Sequence, residues 1–332
     1  TNNGQLTGAI SGGCLEGDAL RKSQLVIMQQ KSMLVTYDTN DEDDAKLGMG
    51  LGCNGIIHIL IEPVNISDPY NPIAFLKTLI KKRQQAILVT LFDLKNKKNQ
   101  RGTCFVYLKD GEQFGCADTL ENGIFNDVFE SLQNQTSLFK NYPDQHCKAF
   151  IQFIAPPVSL VILGAGNDVK PLVEFASILG WETTIIDGRP NYPTRERFPL
   201  ATKLEVKKAS ELLQNITIDR QTIFLLMTHN YNYDLSALRI LLEKETTYIG
   251  MLGPRKKLER MQQDLREQQS IASAEKIIHI HTPAGIDIGA ETPEEIALSI
   301  MAEIKSVLSG RRANSLKTKT GVIHPRITTT IK

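Results

Sequence analysis

Two cysteines, Cys14 and Cys53, lie in glycine-rich turns, each beside a predicted helix or strand. Cys14 ends the segment SGGC and leads into a predicted helix, whereas Cys53 lies in the segment GMGLGCNG before an apolar strand. A helix N-terminus stabilises thiolate, which is the nucleophilic and metal-binding form of cysteine. The turns therefore predict nucleophilic or metal-binding chemistry at these two thiols. Glycines let backbone N–H groups approach a ligand closely. We therefore predict that the glycines of these turns bind a cofactor: Gly12, Gly13, Gly52 and Gly55.

The alternative for both thiols is structural, because a cysteine packs well among small residues in a tight turn. Two thiols in similar turns of one small domain favour the functional interpretation. Cys104, Cys116 and Cys147 lie in strand-like or variable surroundings, and we interpret them as structural. Five cysteines, an odd number without paired spacing, favour reduced thiols over a disulfide framework and therefore favour the cytoplasm.

A second group of candidate residues depends on the segment 158–190, which has the pattern strand, glycine turn, helix, strand. The apolar run VSLVIL ends at Gly164-Ala165-Gly166, an apolar helical period follows, and a second strand ends in Asp187. This pattern predicts the first half of a Rossmann-like, doubly wound parallel sheet. Gly164 and Gly166 are then cofactor-binding positions, and Asp187 stands where an acid accepts a hydrogen bond from a ribose hydroxyl.

Asp168 argues against a phosphate at this glycine turn. A carboxylate at a helix start is expected to cap the free N–H groups itself and to repel a pyrophosphate. Pro171 in the first turn removes a further donor. The binding of NAD(P) by this unit therefore stays open at the level of the sequence.

Ligands of an open parallel sheet bind outside the carboxyl ends of its strands, so the loops after the strands form the expected crevice. Arg189, Arg255 and Lys256 follow predicted strands and are placed to meet anionic groups, while the ring of His229 is a candidate donor or acceptor. Residues 282–291, TPAGIDIGAE, are expected to border the same crevice. The alternatives are a supporting hydrogen bond for His229 and surface exposure at a helix start for Arg255 and Lys256.

Hydrophobic periodicity divides the chain into an N-terminal α/β domain, residues 1–155, and a Rossmann-like domain, residues 158–310, followed by a mobile tail, residues 311–332. In the first domain the pattern predicts strands at 5–10, 33–37, 56–61, 86–92, 103–108 and 149–154, with helices at 14–30, 73–81 and 125–132. In the second domain it predicts strands at 158–163, 183–186, 221–227, 247–252 and 276–280, with helices at 169–179, 233–242, 255–266 and 293–309.

Composition excludes several classes of function. Among the 332 residues, 38 lysines and arginines nearly balance 37 aspartates and glutamates, so we expect neither nucleic acid nor an anionic membrane as a partner. We find neither a signal peptide nor an apolar run long enough to span a membrane. The chain begins without methionine shortly before a predicted strand, so we expect sequence upstream. His279 and His281 lie two apart without an acid or a cysteine at ligand spacing, so we do not expect a metal there.

Four blocks of the chain together resemble the XdhC/CoxI family of accessory proteins for xanthine dehydrogenase and related molybdenum hydroxylases. The blocks are, in the family's order, GAISGGCLEG at 8–17, GLGCNG at 50–55, LGAG at 163–166, and GIDIGA with TPEEIA at 285–297. Asn54 stands where the family commonly has glycine, and Asn167-Asp168-Val169 replaces the more common histidine and small residues.

The resemblance implies a protein that binds molybdenum cofactor (molybdopterin), protects it, supports its sulfuration and delivers it to a xanthine dehydrogenase-type hydroxylase. It gives Cys14 and Cys53 as the candidate thiols for sulfur transfer or for contact with the molybdenum. It implies a cofactor chaperone or insertion factor rather than a turnover enzyme, with a cysteine desulfurase as a further partner and a homodimer left open. One alternative is an NAD(P)-dependent oxidoreductase that uses the Gly164 turn. The other alternative is a protein-interaction scaffold that holds the hydroxylase.

Overall fold

The computed structural model describes residues 5, 7–8, 10, 14–38, 56–98, 100–115, 122–143, 147–267, 279–321 and 323. These residues fall into two compact units, one that extends to Pro156 and one that runs from Pro157 to Ile323. Each unit has its own clusters of fully buried apolar side chains.

The first unit combines helices with antiparallel strands. Its elements are, in chain order, α1 (Cys14–Gln29), β1 (Met33–Asp38), β2 (Ile56–Ile61), α2 (Pro72–Lys81), β3 (Ala86–Phe92), β4 (Gly102–Leu108), β5 (Gln113–Gly115), α3 (Asn122–Asn134), β6 (Leu138–Tyr142) and β7 (Cys147–Ile154). Strands β1 and β2 pair with Met33 opposite Ile61, and the five remaining strands form a sheet in the order β5-β4-β3-β7-β6. Two clusters of buried side chains cover this sheet, one of which includes residues of α3 and the other residues of α2.

Most predicted elements of the first unit form within three residues of the expected bounds. The predicted strand at 5–10 is wrong at its described positions, which lie outside any strand, and Gly8 has a φ of 83°, in the left-handed region. Strand β6 is not predicted by the sequence pattern, because its residues LFKNY show no clean alternation of apolar and polar side chains. The turn at Asp110-Gly111 does join two antiparallel strands, as expected of a hairpin.

The second unit alternates strands with helices. Its elements are β8 (Ser159–Leu163), a 3-10 turn (Asn167–Val169), α4 (Lys170–Ile178), β9 (Glu182–Asp187), β10 (Lys203–Val206), a 3-10 turn (Ala209–Glu211), β11 (Thr222–Leu226), α5 (Tyr231–Leu242), β12 (Tyr248–Met251), α6 (Arg255–Glu267), β13 (Ile280–His281), α7 (Pro293–Leu308) and a 3-10 turn (Leu316–Thr318). The strands form one parallel sheet in the order β10-β9-β8-β11-β12-β13, and the predicted Rossmann-like, doubly wound sheet is confirmed.

Helices cover both faces of this sheet, because successive residues of a strand point to opposite faces. Leu160 and Ile162 of β8 pack in one cluster with residues of α4 and α7. Val161 and Leu163 pack in the other cluster with residues of α5 and α6. Burial on both faces explains why the central strands have continuous apolar runs instead of an alternating pattern.

The helix starts follow local sequence signals. Thr292 accepts from the backbone N–H of Glu295, whose side chain accepts in return from the backbone of Thr292, so the predicted capping box begins α7. Asn230 caps α5 by accepting from the N–H of Tyr233. Asn230 directly follows His229 in the loop after β11, so this cap lies near the carboxyl end of that strand.

Candidate functional site at the carboxyl edge of the parallel sheet

The candidate site lies where the strand order reverses, between β8 and β11. These neighbours run parallel, with Leu163 opposite Leu226 at their carboxyl ends. From β8 the chain crosses toward β9 on one side, and from β11 it crosses toward β12 on the other side. The divergence leaves a crevice at the strand ends, which is where open α/β sheets bind ligands.

Gly164 is required for the two strand ends to approach each other. Its φ of 112° lies in the left-handed region, and a Cβ there would meet the carbonyl carbon of Met227 at 2.6 Å and the Cα of Thr228 at 2.9 Å. Gly166 is also constrained, since a Cβ there would collide with a side-chain oxygen of Asp168. The turn that the sequence singled out is therefore packed backbone against backbone on the loop after β11.

Asp168 does not cap the helix, and the prediction that it does is wrong. Neither Gly166 nor Val169, the residues that precede the 3-10 turn and α4, has a side-chain capping bond. Asp168 instead contacts His229 across the crevice, with 3.1 Å between its Oδ2 and the Nε2 of the ring. His229 lies in the loop after β11. It does not cap the helix that follows this loop, α5, because the capping residue there is its neighbour Asn230.

His229 combines backbone strain with an accessible ring. Its φ of 56° is unusual for a residue with a side chain, and its side chain is 65% exposed. Strained, exposed positions of this kind persist where the surrounding structure holds them, and they cluster at binding and catalytic sites. With Nε2 directed at Asp168, Nδ1 is the ring nitrogen left to meet a ligand.

Asp187 lies at the end of β9 as predicted, but its carboxylate is fully engaged. Oδ1 accepts from the backbone N of Arg189 at 2.9 Å and from its Nε at 3.0 Å. Oδ2 accepts from the N of Ala165 at 2.9 Å and from the Nη2 of Arg189 at 2.8 Å. Burial of Asp187 opposes ionisation, yet these bonds outweigh it and lower the pKa of the carboxyl. A carboxylate has about four acceptor positions, so a ribose hydroxyl finds none free.

Arg189 is held in place by this carboxylate and by an aromatic ring. Its guanidinium carbon lies 3.4 Å from the ring centroid of Tyr192, and its side chain remains 50% exposed. Hydrogen bonding to Asp187 raises the pKa of Arg189 further above its ordinary value, so the group is permanently charged. Arg197, which the sequence analysis missed, lies 5.2 Å from the same ring centroid. A loop with several arginines and a tyrosine after the second strand was the signal for it.

The basic residues after β12 divide into outward and inward positions. Arg255 is 82% exposed and pairs along its own helix with Glu259, with 3.6 Å between Nε and Oε1. Lys256 is exposed as well. Lys257, which the sequence analysis did not select, points inward and donates from Nζ to Asp234 at 2.7 Å. The exposed positions of Arg255 and Lys256 agree with the surface alternative.

Asp234 joins the loops after β11 and β12. It is fully buried, and besides the bond from Lys257 it accepts from the Oγ1 of Thr228 at 2.6 Å. Lys257 also donates to the carbonyl of Leu252 at 3.3 Å. A buried carboxylate with these partners ties the two loops together, because removal of any partner would leave a polar group unpaired.

A second polar cluster holds the segment 282–291 against α7. Glu303 accepts from the hydroxyl of Tyr248 at 2.6 Å, from the N of Gly285 at 2.8 Å and from the Nδ1 of His281 at 3.1 Å. Burial of Glu303 opposes its ionisation, but these three bonds prevail and lower its pKa. The rings of Tyr248 and His281 stack with centroids 4.3 Å apart. The cluster is therefore a positioning network for the segment.

No set of three or more histidine, cysteine, aspartate or glutamate side chains arranged for a metal occurs within the described part of the chain. His281 is engaged with Glu303, while His279 is exposed. None of the described helices is long and apolar enough to cross a membrane.

Comparison with known proteins identifies the family. Residues 160–304 match the model described as the XdhC Rossmann domain, and residues 1–38 match the model described as the XdhC and CoxI family. A solved structure titled as a xanthine dehydrogenase from Bacillus halodurans is 30% identical, covers 95% of this chain and 86% of its own, and superposes with a TM-score of 0.72. The chain belongs to the XdhC/CoxI family.

Two curated proteins are also similar to this XdhC/CoxI chain. One, from Bacillus subtilis (strain 168) and named as a probable xanthine dehydrogenase subunit, is 29% identical over 91% of this chain and 84% of its own length. The other, named molybdenum cofactor insertion chaperone PaoD of Escherichia coli (strain K12), is 27% identical over 46% of this chain and 41% of its own length.

The thiols of the XdhC/CoxI chain fall into two groups. Cys14 is the first residue of the 16-residue helix α1, as predicted, but its side chain lies outside the described part of the structure, as do Cys53, Cys116 and the predicted glycines Gly12, Gly13, Gly52 and Gly55. Cys104 lies on β4, where its Sγ donates to the carbonyl of Val89 at 3.7 Å, and Cys147 is buried on β7. These two belong to the sheet of the first unit.

Proposed function

We propose that this chain is an accessory protein that binds molybdenum cofactor, supports its sulfuration and delivers it to a xanthine dehydrogenase-type hydroxylase. The observation that carries the proposal is an exposed, rigidly held arginine at the ligand edge of the Rossmann unit, in a chain of the XdhC/CoxI family. The relatives named for xanthine dehydrogenase and for molybdenum cofactor insertion support the same interpretation.

The described residues of the crevice fit an anionic cargo. Arg189 offers guanidinium N–H groups to a phosphate, whereas the Nδ1 of a neutral His229, whose Nε2–H donates to Asp168, can accept from a donor of the cargo. The pair of Asp234 and Lys257 joins the loops after β11 and β12. Gly164 lets the glycine turn pack against the backbone of Met227 and Thr228, the residues that precede His229.

An NAD-dependent oxidoreductase is less well supported by the same edge. The acid that would accept from a ribose hydroxyl, Asp187, already accepts four hydrogen bonds. Asp168 places a carboxylate beside the turn that would hold a pyrophosphate. The scaffold alternative predicts hydroxylase binding without pterin, so the content of pterin distinguishes it from the proposed function.

Sulfur chemistry is assigned in the proposal to Cys14, with Cys53 as its companion. Cys14 starts a 16-residue helix, whose N-terminal dipole stabilises a thiolate. Such a thiolate either carries a persulfide loaded by a cysteine desulfurase or occupies the open position of the molybdenum during transit. In the first case the outer sulfur passes to cargo whose molybdenum is reduced, the metal supplies the two electrons that convert this sulfur to sulfide, and Cys14 leaves as thiolate. Cys53 precedes strand β2 in the chain, and its sequence surroundings do not predict a helix start.

A transfer assay tests the proposal. The protein, loaded with molybdenum cofactor under anaerobic conditions, is mixed with hydroxylase that lacks the cofactor, and the appearance of hydroxylase activity is timed. We expect activation by the wild type and by Cys104→Ser, and at least ten-fold slower activation by Cys14→Ser. Equal activation by Cys14→Ser would remove the sulfur role, and cofactor that never leaves the loaded protein would contradict delivery.

A further inference from the structure

Arg189, Tyr192 and Arg197 form a corner beside the carboxylate of Asp187, whose hydrogen bonds leave no acceptor position for a ribose hydroxyl. Asp187 uses both oxygens to hold Arg189 and the backbone of Ala165. In the usual dinucleotide arrangement an acid at this place binds the ribose hydroxyl, whereas an arginine there accommodates a phosphate. Here the acid anchors the arginine.

Arg189 is preorganised to bind a phosphate. Two of its guanidinium N–H groups bond to Asp187, and its plane lies against the ring of Tyr192. A guanidinium has five N–H donors, so three remain for a ligand. Because the side chain is already fixed, a ligand that binds it loses little of the side-chain entropy that an unrestrained arginine would lose.

Arg197 completes the corner from the other end of the same loop. Its Nη1 donates to the carbonyl of Tyr192 at 2.8 Å, and its Nη2 donates to the Oδ1 of Asn167 at 3.1 Å. Asn167 opens the 3-10 turn that follows the glycine turn, so this bond ties the arginine loop to the ligand edge. Two fixed guanidinium groups therefore contact one exposed tyrosine.

The charges around the corner favour a terminal phosphate over a bridging one. Arg189 is paired with Asp187, whereas the bonds of Arg197 go to the neutral Tyr192 carbonyl and Asn167 amide, and the described residues place no carboxylate within ion-pair distance of Arg197. The glycine turn, where a pyrophosphate would lie, has the carboxylate of Asp168 beside it. Arginine forks bind phosphate oxygens in pairs, and a monoester presents more of these oxygens and more charge than a diester-like bridge.

We propose that the corner of Arg189, Tyr192 and Arg197 recognises a phosphate monoester at the end of the bound ligand. Two sources carry this group: the terminal phosphate of a pterin cargo, which rests on the proposed function, and the 2′-phosphate of a nicotinamide dinucleotide, which does not. The chemistry of recognition is the same in both cases.

Matched pairs of probes test the corner and separate the sources. In one arm, a fluorescent oxidised pterin that retains its terminal phosphate is compared with the same pterin after phosphatase treatment. In the other arm, NADPH is compared with NADH. We expect at least ten-fold tighter binding of the phosphorylated member in one arm. Selectivity in the pterin arm supports both the corner and the proposed function. Selectivity in the NADPH arm alone supports the corner and counts against the proposed function.

Variants decide whether the arginines are responsible. Arg189→Ala and Arg197→Ala are expected to reduce the phosphate selectivity at least five-fold, and Arg189→Lys, which keeps the charge but not the fork, is expected to reduce it partly. Arg195→Ala is the matched control, because the guanidinium of Arg195 in the same loop donates to the carbonyls of Pro199 and Ala201. Equal binding of both members in both arms, or full selectivity retained in Arg189→Ala and Arg197→Ala, would overturn the proposal.

Discussion

Glu303 allows a quantitative test of the network that holds the segment 282–291. Its Oε2 accepts from Tyr248 and from the N of Gly285, while its Oε1 faces His281. Replacement by alanine removes all three bonds and leaves the hydroxyl of the fully buried Tyr248 without an acceptor. A buried unsatisfied group costs about 1–3 kcal/mol, and the lost charge-assisted bonds and side-chain volume bring the expected destabilisation to about 2–4 kcal/mol.

The isosteric variant Glu303→Gln should cost about 1 kcal/mol or less. Its amide oxygen replaces Oε2 and still accepts from Tyr248 and Gly285, and its NH₂ group faces the ring of His281 when Nδ1 is unprotonated. The difference between wild type and Glu303→Gln should depend on pH. Because folding lowers the pKa of Glu303, its ionised form contributes stability that is complete above the unfolded value of about 4.5 and is lost as pH falls through the lower folded value.

Urea unfolding followed by tryptophan fluorescence measures these differences in the second unit. The chain has a single tryptophan, Trp181, which packs against the core of that unit. Glu294→Ala, an exposed change in the first turn of the same helix, serves as the control and should cost about 0.5 kcal/mol. Two results would show that the hydrogen bonds of Glu303 do not stabilise the second unit as expected. Either Glu303→Ala is no more destabilising than Glu294→Ala, or Glu303→Gln is as destabilising as Glu303→Ala.

Three further predictions concern the ligand edge. Gly164→Ala should destabilise the second unit by about 3 kcal/mol or more, because the added Cβ would collide with backbone atoms. Gly180 also has a left-handed backbone but has open space around it, so Gly180→Ala should cost only about 1 kcal/mol. Equal losses of stability in urea unfolding would contradict this expectation. Asp234→Ala should cost about 3–5 kcal/mol in the same assay, because the ammonium group of Lys257 loses its carboxylate partner. A loss below about 1 kcal/mol would show that the pair of Asp234 and Lys257 does not stabilise the unit. His229→Gly should relieve backbone strain and leave stability unchanged or raise it by up to about 1 kcal/mol, while weakening cofactor binding; unchanged affinity for the cofactor would make the strain purely structural.

Sequence patterns were sufficient for the elements whose signals are local. The apolar run before Gly164 predicted a strand buried on both faces, and the capping box at Thr292 and Glu295 marked the start of α7. Strand β10, with the sequence KLEV, escaped prediction because an edge strand that is half exposed has no continuous apolar run. Its identity as a strand depends on pairing with β9, which is not encoded in its own four residues.

The candidate site was only partly predictable, because its side chains are chosen by tertiary contacts. Asp168 and His229 are 61 residues apart, and nothing in either local sequence indicates that they pair. The start of α6 decides that Lys257 turns inward while Arg255 and Lys256 face outward, and a shift of one residue would change that assignment. Composition and spacing identify residues capable of chemistry, but the helical phase and the crossing of loops select among them.

The pterin content of the purified protein decides whether this chain binds molybdenum cofactor. The protein is isolated anaerobically from a host that synthesises molybdenum cofactor, oxidised to convert bound cofactor to a fluorescent pterin, and quantified against protein concentration, with the same preparation from a host that lacks cofactor synthesis as the blank. If the chain binds molybdenum cofactor, we expect about one equivalent of pterin per chain in the first preparation and none in the second. Pterin at the level of the blank in both preparations, from protein that nonetheless binds the hydroxylase, would contradict it and leave the scaffold interpretation.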